Sequence, residues 1–175
     1  MSKILGVDPG LTRCGFGLVN GSEALDFGLF QTDSKQDPAH RVGQIASQLE
    51  NLIDKHKPDL VALERVFAQA NLRSVMGVAQ ISGALMATAH KRGIPVEFFT
   101  PSEVKAAVTG NGRAGKEQVA HMVRALLKLE VVPKPADVAD ALAVALCAQK
   151  RSTQAATAAQ RKWVAATKAA RGQLG

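Results

Sequence analysis

The chain has 175 residues, a length that one folded domain fills without disulfide staples. Its 22 basic and 15 acidic residues give a formal net charge of +7, which favours a polyanionic partner such as nucleic acid over an acidic small molecule. No apolar run approaches the roughly 20 residues that span a bilayer, the stretch from Met1 to Asp8 is too short for a signal peptide, and Cys14 and Cys147 form no CxxC pair, so membrane and disulfide-built secreted classes are excluded and a soluble cytoplasmic protein is expected.

In chain order, residues 3 to 8, about 14 to 20 and about 24 to 31 read as three strands of an antiparallel meander, with Asn20-Gly21-Ser22 as a hairpin signal. Asp37-Pro38 supplies an N-cap and a first-turn proline for a helix whose apolar residues Val42, Ile45, Leu49, Leu52 and Ile53 recur at helical spacing. A buried strand at 59 to 64 follows, then a helix from about 71 to 92 that stops at Gly93, and a fifth strand at 95 to 99. Thr100-Pro101 caps a short helix to about 109, and Gly110 to Gly115 is a loop by composition. Val119, Met122, Val123, Leu126 and Leu127 form an amphipathic stripe, and Lys134-Pro135 opens a last helix to about Lys150. The pattern predicts an α/β domain with a mixed five-stranded sheet flanked by helices over 1–150. Residues 151–175 are rich in alanine and basic groups and are expected to form a mobile or marginally helical tail.

No acidic residue follows Asp140, whereas Lys150, Arg151, Arg161, Lys162, Lys168 and Arg171 crowd the end. The body up to residue 149 is therefore near charge balance, and a phosphate-binding face there requires clustering rather than excess.

Four carboxylates interrupt apolar segments. Asp8 closes Ile4-Leu5-Gly6-Val7, Glu64 closes Leu60-Val61-Ala62-Leu63, and Asp137 and Asp140 lie within the apolar start of the last helix. Burying such charges demands a metal, a counter-charge or a raised pKa. Four oxygen donors suit Mg²⁺ or Mn²⁺ rather than Zn²⁺, and the four histidines have no zinc-site spacing. Asp8 is the candidate for a ligand shared between two ions, Glu64 would approach from a neighbouring strand end, and Asp137 and Asp140, three apart, share one helix face. Individually these residues also read as turn formers or as solvated acids of a helix N-terminus. A nucleic-acid binder whose acids are only structural, a phosphate-loop ATPase lobe around Asp8, Gly10, Thr12 and Gly15, and a metal-dependent hydrolase of structured RNA rather than DNA remain open on the residues alone.

Gly6-Val7-Asp8-Pro9-Gly10, Leu63-Glu64-Arg65-Val66-Phe67, Asn71 with Ser74, Val104-Lys105, the stretch from Gly115-Lys116 through His121-Met122-Val123-Arg124, and Ala136-Asp137-Val138-Ala139-Asp140-Ala141-Leu142-Ala143 occur in that order. Together they resemble the bacterial crossover junction endodeoxyribonuclease RuvC family over roughly residues 2 to 150. The resemblance implies a fold similar to ribonuclease H, a homodimer, and paired nicks across a four-way Holliday junction that depend on two Mg²⁺ per subunit, with Mn²⁺ able to substitute. It also implies cooperation with the branch-migration proteins RuvA and RuvB. Asp8, Glu64, Asp137 and Asp140 match the family's catalytic carboxylates. Lys105 and Lys116 match basic residues near the scissile DNA, and Phe67 matches an aromatic that stacks on an unpaired base. Arg113, in the glycine-rich loop beside Lys116, is a further candidate for a phosphate contact.

The long middle helix departs from the pattern. Its Ala79-Gln80-Ile81-Ser82-Gly83 stands where family members carry Gly-Gln-Ala-Arg-Gly, so one basic contact is missing. The helix keeps the small residues Gly77, Ala79, Ser82, Gly83, Ala84 and Ala87, which permit either a dimer seam or tight packing on its own sheet.

Overall fold

The structure, a computed structural model, describes residues 2–65 and 72–172. Five strands, β1 (Lys3–Asp8), β2 (Arg13–Asn20), β3 (Glu23–Gln31), β4 (Leu60–Glu64) and β5 (Val96–Phe99), form one sheet in the order β3-β2-β1-β4-β5. The first three pair antiparallel, and β4 and β5 add in parallel beside β1. Helix α1 (Pro38–His56) connects β3 to β4, and α2 (Leu72–Lys91) leads to β5. Then come α3 (Pro101–Thr109), α4 (Lys116–Leu126) and α5 (Ala136–Gly172).

Local chemistry accounts for the helix boundaries. The Asp37 carboxylate accepts hydrogen bonds from the backbone N–H groups of Ala39 and His40, and Pro38 occupies the first turn, where no N–H is needed. Thr100 and Glu103 cap α3 reciprocally. At the other end of the chain, α5 runs past Lys150 without a break to Gly172, the helical alternative expected for the tail. Alanine-rich sequence favours helix even where it has nothing to bury, and residues 150–160 are all exposed.

Strand parity sorts the core into two layers. Leu5, Val7, Val61 and Leu63 face α1 and α2, packing with Ile45, Leu49, Ile81 and Leu85. Ile4, Leu60 and Ala62 face the opposite side, with Val104, Val119, Val123, Val138 and Leu142 of α3, α4 and α5. Because alternate residues share a face, Asp8 lies in line with Ile4 and Gly6, and Glu64 in line with Leu60 and Ala62. The pairing Val7↔Leu63 makes these two acids neighbours at the carboxyl ends of adjacent parallel strands, where open α/β sheets place their ligands.

Helix α5 reaches those acids because the sheet beneath it is stripped of side chains. A Cβ on Gly6 would stand 2.2 Å from the carbonyl oxygen of Ala141, one on Gly15 2.1 Å from that of Asp137, and one on Gly17 2.6 Å from a Leu142 methyl. Adding a methyl at Gly6 must push the helix off the sheet. Gly6→Ala is expected to destabilise the protein by about 2 to 3 kcal/mol in urea unfolding, at the upper end for overpacking. Gly43→Ala, on an exposed position of α1 with nothing within 4 Å of the added carbon, should instead stabilise by about 0.5 to 1 kcal/mol. An unchanged unfolding midpoint for Gly6→Ala would contradict the close approach.

Candidate active site

Two strand ends and the first turn of α5 bring all four predicted carboxylates to one region. Asp8 feels the negative charge of Asp140, Glu64 and Asp137, and Glu64 feels that of Asp140. Burial, followed by these three neighbours, pushes the Asp8 carboxyl up from 3.8 to about 7. Burial and Asp140 likewise raise Glu64. A carboxylate held this way is ionised only at a cost unless a cation comes close.

The two lysines matched by sequence stand beside these acids. Lys116, the first residue of α4, has its Nζ 3.4 Å from Asp140 Oδ2, and its pKa is raised chiefly by Asp140, with smaller contributions from Asp8 and Glu64. Lys105, one turn into α3, lines a cleft of about 160 Å³ together with Glu64, Lys116 and Asp140, and its charge acts against the upward shift of Glu64. Helices α3 and α4 thus deliver one cation each to the rim of an acidic centre. Lys116 is exposed and Lys105 half-buried, and both ammonium groups are suited to a phosphate as point charges.

Arg113 is placed differently. It stands exposed on the turn before α4, its backbone N–H bonded to Asn111 Oδ1, and it does not line the cleft. Phe67, and with it Val66 and Asn71, lies outside the described residues. Ser82, at the position of the missing family arginine, is buried and lines a second hollow with Glu64 and Arg65.

One participant was not legible from the motifs. Arg13, the first residue of β2, donates from Nε (3.1 Å) and Nη2 (2.6 Å) to Asp137 Oδ2. Strand parity puts it in line with Gly15 and Gly17 on the α5 side, but only knowledge of where α5 lands identifies its partner. Asp137 therefore has an arginine and Asp140 a lysine, whereas Asp8 and Glu64 have no ion pair among the described residues. Also among the described residues, no three His, Cys, Asp or Glu side chains are gathered tightly enough to share one ion as they stand. Two of the four acids are turned toward basic groups, as mutual repulsion dictates. The donor set itself, four carboxylates on one region with two of them desolvated and in no direct ion pair among the described residues, fits a hard divalent cation.

The profile of the crossover junction endodeoxyribonuclease RuvC family matches residues 4–148. The chain belongs to this family. A RuvC from Nocardia farcinica is 53% identical over 150 residues, covering 83% of this chain and 79% of the relative. One from a Nocardioides species is 48% identical over 171 residues, covering 91% and 97%. Among solved structures, Thermus thermophilus RuvC in complex with its Holliday junction substrate is 34% identical, with a TM-score of 0.79 over 84% of this chain and 92% of that chain. Membership makes the chain a phosphodiester-cleaving endonuclease and its sheet a ribonuclease H-like one.

The raised Asp8 carboxyl has a consequence for stability. Well below pH 3.8 it is protonated in folded and unfolded chains alike, so it costs nothing there. As pH rises from about 4 to 7 the unfolded chain ionises first, so the metal-free fold loses stability across that window and stays weakened above it. Asp8→Asn should therefore stabilise the metal-free protein at pH 8 by about 2 kcal/mol, half the roughly 4 kcal/mol of the full shift because the site is partly open to water, with the gain falling to about 0.5 kcal/mol or less at pH 4. Chemical denaturation at both pH values in EDTA reads this directly.

Proposed function

We propose that this chain resolves Holliday junctions in homologous recombination and DNA repair by paired symmetric nicks, with Asp8, Glu64, Asp137 and Asp140 holding two Mg²⁺ per subunit and Mn²⁺ able to replace them. The observation that carries this reading is the meeting of four acids, from two strand ends and one helix turn, in a chain of the RuvC family. Such ions, when bound, activate a water and stabilise the leaving oxygen of a phosphodiester.

The protein's own groups divide the remaining work. Asp8, flanked by the other three acids, is the shared ligand, and Glu64 and Asp140 close one side of the centre. Lys116 and Lys105 receive the phosphates that flank the scissile bond and hold the strand in the cleft. Arg113, farther out on its turn, meets the DNA backbone beyond the cleft. Phe67 stacks on a base freed at the crossover, a contact worth about 1 to 3 kcal/mol that is open only where bases are already unstacked.

A junction with two-fold symmetry is cut at two related strands most directly by two related sites, hence a homodimer. Helix α2 offers the face. Ile81, Leu85 and Ala89 point into the sheet, and Gly77 packs on Leu11, whereas Met76, Ala79, Met86 and Ala87 are exposed and Gly83 has open space above it. The small residues thus serve both roles, some against the sheet and some free for a second copy. Residues 1–150 act as the nuclease domain, and the basic segment 151–175 adds sequence-independent attraction for DNA. No described helix is long and apolar enough to cross a membrane, which accords with a cytoplasmic enzyme working beside RuvA and RuvB.

A synthetic four-way junction incubated with the protein and Mg²⁺ should be nicked at symmetric positions. Asp8→Asn should still bind the junction but leave it intact, and Lys116→Met should lower the cleavage rate at least tenfold. A junction left whole by the wild-type protein in both Mg²⁺ and Mn²⁺ would overturn the reading.

A further inference from the structure

Arg13 and Asp137 form the shorter of the two ion pairs in the site, 2.6 Å against 3.4 Å for Lys116 and Asp140, and nothing in the proposed reaction uses it. Both donating nitrogens converge on a single oxygen, Asp137 Oδ2, while Nη1 makes no hydrogen bond among the described residues. The arginine side chain is 45% exposed and the aspartate 24%, so the pair sits at the mouth of the centre with one side open to solvent. Its anchor is rigid. Arg13 belongs to β2, and Asp137 rides on the helix turn that Gly15 admits to contact with the sheet. The guanidinium cannot follow the carboxylate far without leaving its strand, but it can rotate outward.

A divalent cation and Arg13 therefore compete for the same oxygen. We infer that Arg13 is a positioning residue that exchanges partners: it holds Asp137 while the centre is empty of cations, and once cations take that carboxylate the released guanidinium grips a DNA phosphate at the mouth of the site. This rests on the metal-binding reading above. In the metal-free chain the pair offsets one charge of a four-acid cluster that repels itself. In the loaded chain the same guanidinium stands free on the DNA-facing side, where its fork of donors matches phosphate oxygens in two-point contact. Arg13 would thus make cation loading and DNA binding favour each other, because each step removes what the other must displace.

Arg13→Met, which keeps the side chain's length and apolar stem, separates the two halves of the exchange. Calorimetric titration of the full chain with Mn²⁺, without DNA, should give a dissociation constant about three- to fivefold tighter than wild type, the range expected for removing one partly exposed ion pair. Junction affinity measured across a salt series with Ca²⁺ present should be weaker, and its log–log salt slope should fall in magnitude by about 1, one phosphate contact. Arg13→Lys keeps the charge and should restore most of both values. Weaker or unchanged Mn²⁺ binding by Arg13→Met would overturn the inference, since it would make Arg13 a mere brace for Asp137, and so would an unchanged salt slope. The metal-binding reading fails separately, if the wild-type chain binds no Mn²⁺ or if Asp8→Asn binds it as well as wild type does.

Discussion

The structure depends on how closely α5 lies against the sheet. Helix and sheet ordinarily keep side chains between them, but here Gly6, Gly15 and Gly17 on two strands meet the backbone at Asp137 and Ala141 and the side chains of Leu142 and Ala145. Removing that layer lets the first turn of a helix stand beside the ends of β1 and β4. Asp137 and Asp140 are separated from Asp8 by well over a hundred residues of chain, and no loop could hold them in place as precisely as backbone-to-backbone packing does.

Close packing of this kind has an electrostatic cost, and the protein does not remove it. Burial and three like charges drive Asp8 to about 7, and Glu64 shifts the same way. Lys116 on α4 and Arg13 on β2 relieve Asp140 and Asp137, and Lys105 partly offsets Glu64, but Asp8 keeps no partner of its own among the described residues. A fold optimised for stability alone would carry an asparagine or an apolar residue at position 8. Under the proposed reading that strain is what a bound cation relieves, and the neighbouring Lys105 and Lys116 would hold a phosphate beside it.

Much of this could be read in advance, for identifiable reasons. Strands β1 and β4 announce themselves as short apolar runs each closed by one acid, and parity alone places Asp8 and Glu64 on one face once the strands are neighbours. The helices α1 and α3 carry explicit caps, so their starts were legible to the residue. What periodicity could not supply is contact between distant segments. Arg13, just ahead of the second expected strand, carries no signal until α5 is seen to land beside it, and nothing in the spacing of the glycines of β1 and β2 marks them as a bed for a helix. The tail could be read only as mobile or marginally helical because alanine-rich sequence lacks the apolar stripe that signals a packed helix; its backbone preference carries the helix to Gly172. Arg113 illustrates the reverse: proximity in sequence to Lys116 does not bring it to the cleft.

Crystals of the protein soaked in Mn²⁺, with anomalous scattering recorded to locate the ion, bear most directly on the central claim that these distant acids form one cation-binding centre. Two anomalous peaks are expected, both touching Asp8 and each completed by others of Glu64, Asp137 and Asp140 at about 2.0 to 2.2 Å. Peaks confined to other parts of the surface, or none within reach of Asp8 at saturating Mn²⁺, would contradict it.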